Sequence, residues 1–114
     1  MAGPAYWPIE LYGDDGWSMR VEFVYTNELG AEADLDVSAR TYRAQVRATI
    51  DSQVVLCEMD VDDGDAANGV IVVSIPHGEE RGLTGRWDLQ EVIGSGAPTT
   101  LFAGPVTWTG DITR

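Results

Sequence analysis

Trp17-Ser18-Met19-Arg20-Val21-Glu22-Phe23-Val24-Tyr25-Thr26 carries an apolar side chain at every odd position from Trp17 to Tyr25, while Ser18, Arg20, Glu22 and Thr26 occupy the other face. Successive side chains of an extended strand point to opposite faces, so a period of two marks a strand with one face buried. Gly13-Asp14-Asp15-Gly16 ahead of it is a turn signal. The same alternation recurs as Tyr42, Ala44, Val46, Ala48, Ile50 against Arg43, Gln45, Arg47, Thr49, Asp51, and as Val55, Cys57, Met59, Val61 against Leu56, Glu58, Asp60. Gly69 to Ile75 is a short β-branched run that stops at Pro76-His77-Gly78. Arg86 to Ile93 sets Trp87 and Leu89 against Arg86, Asp88 and Gln90, and Gly94-Ser95-Gly96-Ala97-Pro98 breaks it. Thr99 to Ala103 and Val106 to Thr113 follow on either side of Gly104-Pro105, and Tyr6 to Tyr12 adds a first strand that Pro8 confines to an edge.

No segment repeats with a helical period. Asn27 to Leu35 is weakly helical, is interrupted by Gly30, and reads as the long loop between the second and third strands. About seven or eight short strands at this spacing specify an all-β fold: one antiparallel β-sandwich, Ig-like in shape, spanning residues 1–114 as a single domain. The alternation places Trp17, Val21, Phe23, Val46, Ile50, Trp87, Leu89 and Trp108 in its core.

The chain has 114 residues, one domain's length, and 44% of them are hydrophobic, enough to close one core. Its longest apolar runs, Val54 to Cys57 and Val70 to Val73, are far short of the about 20 residues that span a bilayer. The opening Met1 to Pro8 has no basic residue and no apolar stretch, unlike a secretory signal. Nineteen acids against seven bases give a net charge of −12. Nucleic-acid binding runs on Lys and Arg neutralising phosphate, so neither DNA or RNA nor an anionic membrane is expected as a partner. Every base is Arg; with no Lys there is no Schiff base and no phosphate-loop lysine.

Catalytic and cofactor motifs fail one by one, and we expect no catalytic residue, no cofactor and no metal. Gly94-x-Gly96 lacks the third glycine of a dinucleotide loop and runs into Pro98. One His and one Cys cannot supply a zinc site. His77 lies in a turn without a nucleophile elbow beside it, and Cys57, alternating within a strand, reads as a buried inert thiol. Glu58, Asp60, Asp62, Asp63 and Asp65 crowd around Gly64, but their spacing is not that of a helix-loop-helix calcium loop; a solvated hairpin explains them as well. Against the acidic background Arg40, Arg43 and Arg47 stand out, three of the seven bases within eight residues. They read either as cross-strand partners of acids such as Glu22 or as a docking stripe for an acidic partner.

Three stretches carry a family resemblance. Asp34-Leu35-Asp36 with Ala44-Gln45-Val46-Arg47, then Gly85-Arg86-Trp87-Asp88-Leu89-Gln90, then Gly104 to Arg114 resemble, in order and spacing, small virion domains of tailed phages such as the N-terminal domain of the baseplate upper protein. Asp36-Val37 departs from the Thr-Gly that is usual in that family. The resemblance implies a non-enzymatic β-sandwich assembled in the bacterial cytoplasm into the virion, as a tail or baseplate adaptor, a minor tail component or a capsid decoration protein. Its implied partners are other virion proteins and further copies of itself. The alternative is a free β-sandwich binding module, calcium-dependent and carbohydrate-binding.

Overall fold

The alternating segments pair as extended chain in the computed structural model, which describes residues 4–13, 16–49, 51–79 and 81–110. The strands are β1 (Ala5–Tyr6), β2 (Ile9–Tyr12), β3 (Ser18–Glu22), β4 (Val24–Thr26), β5 (Glu32–Asp34), β6 (Arg40–Arg47), β7 (Val55–Asp62), β8 (Val70–Ser74), β9 (Gly85–Ile93) and β10 (Thr99–Thr109), with one 3-10 turn at Ala66–Asn68. Their order is β1-β10-β9-β6-β7-β8-β3, with β2 also on β10 and β4-β5 as a separate hairpin.

β7 is what folds this sheet into two layers. Its first residues, Val55 to Met59, pair with β6, and its last, Asp60 to Asp62, pair with β8. A strand that changes sheets in this way makes the corner of a sandwich. One layer is β1/β2-β10-β9-β6-β7 and the other β7-β8-β3, so the sheet is curled and the architecture is a β-sandwich.

Three details differ from the sequence reading. Pairing is not antiparallel throughout: β1 and β2 run parallel to β10. Pro8 has no N–H to give a ladder, which is why the first strand is split there into two. Asn27 to Leu35 is not loop throughout: residues 27–31 are a tight turn and Glu32–Asp34 returns as β5 on β4, because Asn27 Oδ1 accepts from the N–H groups of Leu29 and Ala31 and Gly30 supplies a φ of 82°. Finally, Gly104-Pro105 does not end a strand. Gly104 serves a close approach instead of a turn: a Cβ there would overlap the Trp7 carbonyl oxygen.

Of the expected core, Val21, Val46, Trp87 and Leu89 are buried, Trp17, Phe23 and Trp108 pack against them half-buried, and Ile50 lies outside the described residues. Ile9, Leu11, Val37, Ile71, Val73 and Val106 are among the other buried residues. Two aromatic contacts join the layers, Trp17 to Trp87 edge-on at 6.0 Å and Phe23 to Tyr42 at 5.7 Å. Trp87 also stacks on Phe102 at 6.4 Å, and its Nε1–H donates to the Trp7 carbonyl at 2.7 Å. Removing a large buried ring costs about 3–5 kcal/mol. Trp87→Ala should therefore lose most of the stability of so small a domain in a urea titration. Trp108→Ala, at a half-buried position, should lose less; equal losses would contradict this packing.

Candidate functional site

The outer face of the β6-β9-β10 layer gathers the polar positions of the alternation. Register sets Gln45 beside Asp88 and Arg47 beside Arg86, with Ala103 next to Asp88 and Pro105 next to Arg86. At the end of β6 the pairing to β7 slips between Val46 and Arg47, so Arg47 faces Val55. A bulge of this kind re-aims a side chain. Arg47 lies back along its own strand and donates through Nη2 to Gln45 Oε1 at 2.7 Å.

A cavity of about 230 Å³ opens here, edged by Arg47, Arg86 and Asp88 over Gln45, Thr100 and Ala103. Its floor is closely packed, with Gln45 only 4% exposed. The Arg47 Nε atom is buried and has no hydrogen-bond partner among the described residues, an unmet donor at the edge of the cavity. Burial pushes the Asp88 carboxyl above its ordinary range, opposed by Arg47, by the hydrogen bond from Gln90 and by Arg43. The arrangement suits recognition of an acidic or hydrogen-bond-accepting group; nothing in it resembles a nucleophile with its base.

The three arginines read as one stripe are divided. Arg40 is on the opposite face, where its Nη1 meets Glu91 Oε2 at 3.1 Å. The Tyr42 hydroxyl donates to the same oxygen at 2.7 Å, and Glu91 is 6% exposed, so this trio closes one end of the core. Burial, then the Glu91 hydrogen bond, drive the Tyr42 hydroxyl far above its ordinary pKa and keep it a donor. Arg43 reaches Glu58 on β7 at 3.8 Å, both side chains 60% exposed, an arrangement worth little. Only Arg47 edges the cavity. Glu22, the acid expected opposite the stripe, pairs within its own strand with Arg20 at 2.6 Å. Arg86 and Asp88 were visible in sequence as the polar side of an alternating strand, but not their neighbours.

The remaining candidates lie apart. His77 is exposed in the Pro76–Glu79 turn, and Cys57 is buried opposite Val46. In the acidic loop, Asp62 Oδ1 accepts from the Gly64 N–H at 2.9 Å and Asp65 Oδ1 from Asn68 Nδ2 at 2.7 Å, so these carboxylates serve the turn. Among the described residues no three acidic, His or Cys side chains are grouped as metal ligands, and no helix is long and apolar enough to cross a membrane.

No protein-family model and no curated protein matches the chain. A solved structure, a chimeric titin Z1Z2 carrying an exogenous KLER peptide from decorin, superposes with a TM-score of 0.50 at 14% identity, over 96% of this chain and 91% of that one. The fold is Ig-like. At this identity the likeness concerns the fold alone.

Because the folded protein holds the Asp88 proton more tightly than the unfolded chain does, the unfolded chain ionises first as pH rises through the carboxylate range, and stability falls. Asp88→Asn should raise the melting temperature at about pH 7 and bring no gain at about pH 3, where both states are protonated. A gain of equal size at both pH values would show that charge is not the cause.

Proposed function

We propose that the chain is a non-enzymatic structural protein of a tailed-phage virion, an adaptor, minor tail component or capsid decoration protein that docks on other virion proteins and on copies of itself. One observation carries this reading. Much of the three stretches behind the family resemblance, Ala44 to Arg47, Gly85 to Gln90 and Gly104 to Trp108, lies side by side as β6, β9 and β10, while Asp34 to Asp36 lies apart at the end of β5 and residues 111–114 are outside the described residues; the first two edge the arginine cavity. A hydrogen-bonded sheet face with a closely packed floor and arginines at its rim suits docking of an acidic side chain or an exposed carbonyl. In a chain of net charge −12 it is one of few places where such a partner meets positive charge. The exposed, turn-bound position of the single imidazole supports the non-enzymatic part of the reading.

Arg43 and Arg86 are the residues to test, because both are exposed and Arg47 has the half-buried Asp88 to balance. Arg43→Glu/Arg86→Glu should barely move the thermal melt, exposed pairs being worth about 0–1 kcal/mol. It should abolish incorporation into purified particles, where like charges are brought together. Normal incorporation would remove this face from the docking role, and a gene neighbourhood without capsid, portal or tape-measure genes would remove the virion assignment.

A further inference from the structure

We infer that two copies of this chain pair through the outer edge of β3, antiparallel about a two-fold axis at Val21. The inference rests on the self-association part of the proposed function and not on the virion assignment.

β3 ends the strand order, and among the described residues its sole sheet neighbour is β8. In an antiparallel ladder the backbone groups of alternate residues point to the partner and the others point away. The Trp17 carbonyl accepts from the Ile75 N–H at 3.2 Å and the Phe23 N–H donates to the Gly69 carbonyl at 2.7 Å, so the odd positions face β8. The N–H and C=O groups of Ser18, Arg20 and Glu22 therefore point outward. Residues of this edge also line a cleft of about 430 Å³, with Trp7 and Phe102 on its other side. An open edge of this kind is a template for another strand.

Side chains decide which strand. Arg20 and Glu22 are both 60% exposed, two residues apart on the outward face. Only registers that set even positions against even positions satisfy the outward groups. A pair centred on Arg20, or on Glu22, sets that residue against its own copy, like charge on like. A pair centred on Val21 sets Arg20 opposite the other copy's Glu22, and Glu22 opposite the other copy's Arg20. Directly opposed unlike charges favour a cross-strand pair, so the edge is complementary to itself in one register. The two-fold closes the interface, as isologous contacts do.

The test is sedimentation velocity on the full chain at about 0.15 M salt, where a Debye length of about 8 Å screens the long-range repulsion between two acidic chains. The parent should show a reversible dimer. Arg20→Glu and Glu22→Arg should each weaken it at least about tenfold, by setting like charges across the axis twice. The double exchange R20E/E22R should recover the parent's dimer. Circular dichroism melts taken dilute enough for every protein to be monomeric should be alike in all four, since the exposed Arg20–Glu22 pair contributes little within the chain. Arg43→Glu/Arg86→Glu should dimerise as the parent does, which separates this edge from the arginine face. A parent that stays monomeric, a dimer indifferent to both single exchanges, or a double exchange that fails to recover it would overturn the inference. A monomer that still enters particles would overturn this edge while leaving the docking role of the other face intact.

Discussion

Trp87 touches parts of the chain that are remote in sequence and fixes them in one place. Its ring meets Trp17 of the opposite layer and stacks on Phe102 of β10, while its Nε1–H is held by the Trp7 carbonyl of the segment between β1 and β2. A buried indole N–H needs an acceptor. The one chosen here belongs to the edge segment that Pro8 would otherwise leave poorly held. Gly104 makes the arrangement possible from the other side, since any side chain there would collide with the same carbonyl. The parallel pairing of β1 and β2 with β10 depends on this contact.

The functional face follows from the same strands. Turning Trp87 and Leu89 inward on β9 turns Arg86, Asp88 and Gln90 outward, and turning Ala44 and Val46 inward on β6 does the same for Arg43, Gln45 and Arg47. The core and the polar floor of the cavity are thus two sides of one constraint. The raised Asp88 carboxyl is its electrostatic consequence: an acid placed where the sheet and the arginines beside it exclude water.

What the sequence made legible was period and face. Val21, Val46, Trp87 and Leu89 were identified as core because each lies in a run long enough for alternation to be counted. Ile9 and Leu11 alternate too, but over a segment too short to count and interrupted by proline. A period of two says which side a residue faces and nothing about its neighbour in the next strand, so the Gln45–Asp88 and Arg47–Arg86 neighbours were invisible. One misreading was avoidable. Arg40 and Arg43 are an odd number of positions apart on one strand and so belong to opposite faces, which proximity in the sequence had obscured. The β4-β5 hairpin was hidden by its composition, because Glu and Ala disguise a turn that the Asn27 side chain builds.

β7 belongs to both layers, and the two layers are joined like the boards of a book along that spine. The fore-edge, between β3 on one board and Trp7 with Phe102 on the other, is spanned by a cleft. Among the described residues no ladder hydrogen bond crosses the fore-edge, so side-chain packing is what spans it. The width of that gap is governed by ring contacts such as Trp17 on Trp87, which are soft and non-directional compared with a hydrogen-bonded ladder. One margin of the sandwich is thus bound by its spine's hydrogen bonds and the other by the fit of side chains alone.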